Sequence, residues 1–317
     1  MAFIQYSNRL LQVCGNAFKH NKTGINTFYL NSLRRTFGDS SDMVNSKNRI
    51  ENIYYEYIED FNALSAQEKE YLIQEILKIH YTSIYGVKEE TFRDLFSDKK
   101  STKIKIILIR EKKSNIYIGF SFYRIYEIFY EPNNTSNENK YVTTCYINAI
   151  MPSYRGYALG TDLVKSLEYQ TQEEYPDCNR VSFNYTLNAF YYDLRTKWTP
   201  LVVPGINKLD SPHPENLLRK TINFLEIEPI EGNPFVTKIE NVHVAGVDKE
   251  YFMKNIQNIS PCRRFYMEQT QFKPGHLLCN LALYNLIEGN TLKLKPEKYH
   301  TFSPIAYEVI KYKTRFN

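Results

Sequence analysis

Ile147-Asn-Ala-Ile-Met-Pro-Ser-Tyr-Arg-Gly-Tyr-Ala-Leu-Gly-Thr-Asp-Leu163 joins the end of a strand to the start of a helix through a turn of small residues. Upstream, Tyr141 to Ile150 is rich in Val, Thr, Tyr, Ile and Cys, which suit a pleated, half-buried surface. Downstream, Leu159, Leu163, Val164 and Leu167 recur at helical spacing, with Asp162, Lys165 and Glu168 between them. Between the two lies Arg155-Gly-Tyr-Ala-Leu-Gly160. A helix that opens on Ala and Gly lets backbone N–H groups come close to a ligand. Those unpaired N–H groups and the positive end of the helix dipole favour a phosphate.

Reading outward, Ile53 to Ile58 is a short strand, and Ser65 with Glu68 three residues on forms a capping box. It opens a helix to about Tyr81, with Tyr71, Leu72, Ile76 and Ile79 periodic. A second short helix runs from Glu89 to Phe96. Lys103 to Arg110 and Ile116 to Phe129 are strands around the turn Lys112-Lys-Ser-Asn115, and Glu131 to Lys140 is a loop by composition. The strand to Ile150, the small-residue turn, a helix to about Tyr175 and a strand from Arg180 to Tyr185 follow, and Leu187 to Leu194 starts another helix. Beyond Lys197 four prolines mark a long connection. Pro214 to Leu225 then reads as a helix, Val236 to Ala245 as a strand, Lys249 to Ile256 as a helix, Leu277 to Leu286 as a strand and Ser303 to Tyr312 as a last helix. Residues 1–50 read as an N-terminal extension ending in the linker Gly38-Asp-Ser-Ser-Asp42.

Composition bounds the class. Of 317 residues, 43% are hydrophobic and 24% charged, a globular balance. The net charge of +5 is mild and does not call for nucleic acid. No apolar run spans a bilayer and Met-Ala-Phe-Ile-Gln-Tyr lacks a signal-peptide pattern, so a soluble, cytoplasmic protein without a membrane partner is expected. The five cysteines are scattered with no C-x-x-C pair, and the six histidines do not cluster with them or with carboxylates. Neither a disulfide framework nor a metal site is expected, and Cys145 and Cys279 read as small core residues.

At Ile150-Met-Pro152, Arg155, Ala158 and Gly160 the chain resembles the GNAT superfamily of N-acyltransferases, whose signature is R/Q-x-x-G-x-G/A after a strand ending in V-x-P. Ala158 departs from it, adding a methyl group where the phosphate approaches. The order β, α, α, β, β, β, α, β resembles the same family. The implied fold is α/β (α+β): a mixed, largely antiparallel twisted sheet flanked by helices, with an N-terminal extension and a long C-terminal elaboration. The domain implied is 51–290, its core 51–197, with 291–317 as a tail or helix. The late strands Val236–Ala245 and Leu277–Leu286 are candidates for the family's closing antiparallel pair.

The resemblance implies acetyl-CoA as cosubstrate, no metal, and transfer of its acetyl group to a primary amine of an unidentified acceptor, protein or small molecule. Backbone groups of Arg155, Gly156, Tyr157, Ala158, Leu159, Gly160 and Thr161 are expected to hold the pyrophosphate, with the Arg155 side chain free to pair with it. Asn148, Ala149 and Ile150 are expected to bond the pantetheine like an added strand, and Asn188 the CoA arm. The family's proton-donating Tyr commonly stands seven residues after that Asn, and that position here is Arg195. Tyr192, four residues after Asn188, is the expected acid, with Tyr191 its neighbour. Many members place a Glu on the strand that here is Tyr141–Ile150, which has no carboxylate. Glu127 is the substitute base considered, with His243 and His276 as further candidates. The alternative is a catalytically inactive protein of this fold that binds CoA or a partner.

Overall fold

Fourteen consecutive residues, Tyr117–Tyr130 (β4), run through the middle of the sheet, and all ten from Tyr117 to Tyr126 are buried. A strand buried on both faces needs a covering layer on each side. The structure, a computed structural model, describes residues 52–85, 87–130, 139–154, 159–176, 178–199, 201–206, 211–239, 243–244, 259–271, 273, 275–285 and 309–315. The extension at 1–50, the turn 155–158 and the helix expected at Lys249–Ile256 lie outside the described residues.

The elements arrive nearly in the expected order. Ile53–Ile58 is β1, Ala66–Ser83 is α1, Ile84–Tyr85 is a short β2, and Glu89–Asp94 is α2. Lys103–Glu111 is β3, Asn139–Ile150 is β5, Leu159–Glu174 is α3, Asn179–Thr186 is β6 and Ala189–Trp198 is α4. Ser65 caps α1, its Oγ accepting from Glu68 N at 3.2 Å. The Glu68 side chain turns inward to accept from the Tyr312 hydroxyl at 2.5 Å.

Register assigns the faces. Lys105, Tyr123 and Tyr146 stand side by side across β3, β4 and β5. This row meets α3: the Tyr123 hydroxyl donates to Gln170 at 3.1 Å, and Lys105 bonds Glu174. The next row, Ile104, Arg124, Cys145 and Phe183, lies on the opposite face. There Leu72, Ile76 and Ile79 of α1 and Phe92 of α2 pack with Ile104, Ile106, Leu108, Phe120 and Phe122. The Arg124 guanidinium pairs with Asp98, just past α2, at 2.8 Å.

The later chain extends the sheet. Leu201–Val203 is β7, His213–Phe224 is α5, Pro229–Ile230 is β8, Asn233–Lys238 is β9, His243–Val244 is β10, Pro261–Thr270 is α6, His276–Asn285 is β11 and Val309–Lys311 is β12. The sheet runs β12-β1-β3-β4-β5-β6-β11-β9-β8, with β7 also on β11. All pairs are antiparallel except β1 with β12 and β5 with β6. β9 and β11 do pair antiparallel as expected, but the late strand ends at Lys238, and His243–Val244 pairs with β2 instead. The expected helix Ser303–Tyr312 is corrected at its described end: Val309–Lys311 is a strand, because the edge of β1 offers unpaired backbone groups that it satisfies. α6 was not expected, although Ser260 before Pro261 is a cap-then-proline start, and Ser260 Oγ accepts from Arg263 N. Among the described residues no helix is long and apolar enough to cross a membrane.

Candidate active site

β5 and β6 are parallel partners over a short distance only. Pairing runs from Tyr141–Asn179 to Cys145–Phe183 and stops. β6 continues to Thr186 against β11, and β5 continues to Ile150 against β4. Among the described residues no strand pairs with 146–150 on the β6 side. At the apex of this opening the Asn184 side chain donates to the Tyr146 carbonyl at 3.1 Å. At its far end Ser83 Oγ, from the last turn of α1, donates to the Ile150 carbonyl at 3.1 Å.

Strand alternation says which groups face the opening. Met151 N donates to Ile118 O across the β4 side, so odd-numbered residues of β5 turn their backbone groups toward β4. Tyr146, Asn148 and Ile150 therefore turn theirs toward the opening, in line with the bonds at Tyr146 O and Ile150 O. Of the three residues expected to bond pantetheine, Ala149 is thus corrected: its backbone belongs to the ladder with Phe120, and its side chain is buried with the α1 and α2 core. Asn148 keeps the role open, and Ser121 Oγ bonds its Oδ1 and orients the side chain.

α3 starts beside the same strand end. Leu159 is buried, and among the described residues a Cβ added at Gly160 would meet only Ile150 Cδ1, at 3.7 Å. The opening of α3 thus lies over the Ile150 side chain. Arg155, Gly156, Tyr157 and Ala158 lie outside the described residues, as does the Thr161 side chain.

Asn188 is the N-cap of α4, with Oδ1 accepting from Tyr191 N at 2.7 Å. That cap fixes the first turn and the directions of the next side chains. Tyr192 is fully buried; its hydroxyl donates to Pro204 O at 2.6 Å and its ring stacks on Phe265. Tyr191 points the other way: its hydroxyl is hydrogen-bonded to that of Tyr146, the residue at the apex of the opening. Arg195, one turn further on, donates to the Tyr146 hydroxyl at 2.8 Å and to Ser182 O. Burial pushes the Tyr191 and Tyr146 hydroxyls above their ordinary pKa; the Tyr146 neighbour adds to the rise at Tyr191, and the Arg195 charge opposes it at both. Tyr191, half-buried, thus turns its hydroxyl toward that of Tyr146, whereas the Tyr192 hydroxyl is committed to the core.

The base candidates separate as well. Glu127 stands opposite Val142, at the other end of β5 and roughly 20 Å along the strand from Asn148. It pairs with Lys140 at 2.7 Å, so the structure does not bring it to the opening. His243 pairs its backbone with Tyr85, and its side chain lies outside the described residues. His276 begins β11 beyond the end of β6, the sheet end at which the opening lies. Burial, Lys273 and Lys238 hold its pKa below the usual value, and its Nδ1 has no partner among the described residues. Glu168 was read as one of the polar residues between the apolar positions of α3, yet it is buried near Arg195. The signal was present: Glu168 falls four residues after Val164 and one after Leu167, both buried.

No protein-family model and no curated protein sequence matches the chain. Among solved structures it is similar to an aminoglycoside N-acetyltransferase in complex with CoA, at 10% identity over 46% of this chain and 85% of that one, with a TM-score of 0.32. It is also similar to glucosamine-6-phosphate N-acetyltransferase from Arabidopsis thaliana, at 17% identity over 45% and 88%, with a TM-score of 0.28. A third is the NatC complex bound to Gag peptide and CoA, at 17% identity over 46% and 84%, with a TM-score of 0.30. Apart from the short β2, the elements from β1 to β6 follow the order expected from the resemblance. The fold is a mixed, largely antiparallel sheet flanked by helices.

Proposed function

We propose that the chain transfers the acetyl group of acetyl-CoA to a primary amine by direct attack within a ternary complex. The observation that carries this is the parting of β5 and β6. It leaves the Asn148 backbone facing an opening, with the start of α3 at Gly160 beside it and the Tyr191 hydroxyl bonded to the side chain of Tyr146, whose backbone stands at the apex. An extended pantetheine amide fits such an edge as an added strand, and a pyrophosphate fits the start of a helix. In the reaction the neutral amine adds to the thioester carbonyl, whose oxygen is polarised by a backbone N–H of β5. The proton of the attacking nitrogen passes to a base, for which His276 at the start of β11 is the candidate. Collapse of the tetrahedral adduct breaks the C–S bond, and the departing thiolate takes the proton of Tyr191. Arg195, through Tyr146, stabilises the phenolate left behind.

The test joins two measurements: thermal unfolding with and without acetyl-CoA, and release of CoA thiol with a panel of amines. A rise in melting temperature together with amine-dependent thiol release is expected. Stabilisation without release on any amine reduces the site to CoA binding, and no stabilisation at all overturns the assignment.

A further inference from the structure

α3 carries a carboxylate inside its apolar stripe, and the transfer described above makes no use of it. Glu168 is 5% exposed. Its surroundings are Arg195 from α4, Tyr284 from β11, and Arg180 and Ser182 from β6. One carboxyl oxygen, Oε1, has no hydrogen-bond partner among the described residues. Arg195 is buried in the same group, and its guanidinium reaches the Tyr146 hydroxyl at 2.8 Å, which in turn meets Tyr191. The carboxyl acts on the Tyr146 hydroxyl both directly and by way of the Arg195 charge, although no ion pair joins Glu168 to Arg195 among the described residues. Two buried arginines face one carboxyl here, and how much of the Arg195 charge reaches the hydroxyl pair depends on the state of that carboxyl.

Resting on the transferase reading, we propose that Glu168 is a positioning residue that sets the acid strength of the Tyr146–Tyr191 pair through Arg195. When its carboxyl is neutral, the Arg195 charge stabilises the phenolate that forms as CoA departs. When it ionises, it draws that charge to itself, and proton delivery slows. An unpartnered, buried oxygen suits a neutral carboxyl better than a carboxylate. Burial pushes Glu168 up to about 7, while Arg195, Tyr284, Arg180 and Ser182 pull the other way. The sign follows: the active, neutral form prevails below about 7, and one pH unit above it about a tenth of the molecules retain it.

The experiment measures kcat from pH 6 to 9 for the full chain, Glu168→Gln, Tyr191→Phe and the double variant, with one amine at saturation. Taking the ratio of the first two profiles cancels the ionisation of the amine itself. The parent is expected to lose about tenfold relative to Glu168→Gln between pH 6 and 8, with KM for acetyl-CoA equal in both. In the Tyr191→Phe background the same substitution should change nothing, because the group it acts through is gone. A pH-independent loss of equal size in both backgrounds means a structural role and overturns the proposal. Independently of turnover, the side-chain carboxyl carbon of Glu168, identified by its absence from the 13C spectrum of Glu168→Gln, should titrate near neutrality. A midpoint in the ordinary carboxylate range overturns the proposal while leaving the transferase reading intact. Absence of turnover with a midpoint near neutrality overturns the transferase reading, and this proposal with it.

Discussion

Gly160 separates what the fold requires from what a ligand requires. It is the second residue of α3, its φ is not positive, and among the described residues an added Cβ would meet only Ile150 Cδ1 at 3.7 Å, an ordinary contact. Among the described residues nothing requires glycine at this position. Gly160→Ala should stabilise the unliganded chain by about 0.4–1 kcal/mol, by restricting the unfolded chain. For a chain of this size that is a rise of roughly 1–3 °C. Gly160→Glu adds a negative charge at a helix start, which is itself favourable by about 0.3–1 kcal/mol, so it too should fold. Acetyl-CoA at a hundredfold excess over Kd should stabilise the parent by about 2.7 kcal/mol, or roughly 5–10 °C. Scanning calorimetry of the three proteins, each with and without acetyl-CoA, reads all of these numbers. The parent should show the full rise, Gly160→Ala a smaller one, and Gly160→Glu none, because its carboxylate occupies the space and repels the charge of the phosphate. If Gly160→Glu keeps the full rise, the pyrophosphate does not lie at this helix start and the placement of the donor is wrong.

Tyr191→Phe should lower kcat by about 10²–10⁴-fold with acetyl-CoA affinity unchanged. Tyr192→Phe should instead cost about 1–3 kcal/mol in urea unfolding by stripping the donor from buried Pro204 O, with turnover per folded molecule near normal; the reverse pattern would restore Tyr192 as the acid. His80 is 2% exposed, stacked on Phe92 with both ring nitrogens unpartnered among the described residues, and burial lowers it to about 4. Its folded pKa is depressed, so its contribution is present above about 6.5 and is lost as pH falls through the window toward 4, by about 3 kcal/mol at the low end. His80→Phe should remove that share of the acid slope, and urea midpoints compared at pH 7 and 5 check it. Asp193 ties α4 to α6, with Ser260 Oγ at 2.8 Å and Arg263 Nε at 3.0 Å. Asp193→Ala should destabilise by about 2–4 kcal/mol, and a loss below about 0.5 kcal/mol would show the clamp to be idle.

Local patterns were legible wherever a single element decided them. The strand Ile53–Ile58 has its bounds from composition alone, and the Ser65 cap and the periodicity of α1 follow from near neighbours in the chain. What depends on distant partners was not legible. Val309–Lys311 has apolar spacing compatible with a helix, and only the free edge of β1, some 250 residues earlier, makes it a strand. The gap between β5 and β6 has no local signature, because it arises where β6 turns to β11 and β5 stays with β4. Glu127 looked serviceable because it precedes the right strand, yet register sends it to the closed end.

On the proposed reading, which tyrosine hydroxyl serves the departing thiolate turns on a single residue of helix phase. Positions three, four and seven after Asn188 fall on one broad face of an ideal helix, so Tyr191, Tyr192 and Arg195 all satisfy the spacing. The cap breaks the tie. With Asn188 Oδ1 on Tyr191 N, α4 docks with Tyr192 toward Pro204 and Phe265, and with Tyr191 and Arg195, four residues apart, toward Tyr146. Arg195 then occupies the position at which the resembled family carries its tyrosine. It cannot donate a proton at ordinary pH, since arginine stays charged. It can hold a hydroxyl, and the one it holds belongs to β5, the strand whose open edge is assigned to the donor. On the proposed reading, the departure from the family pattern at Arg195 is an exchange. The cation stands where the hydroxyl was expected, and the hydroxyls arrive from Tyr146 and Tyr191 on either side of it.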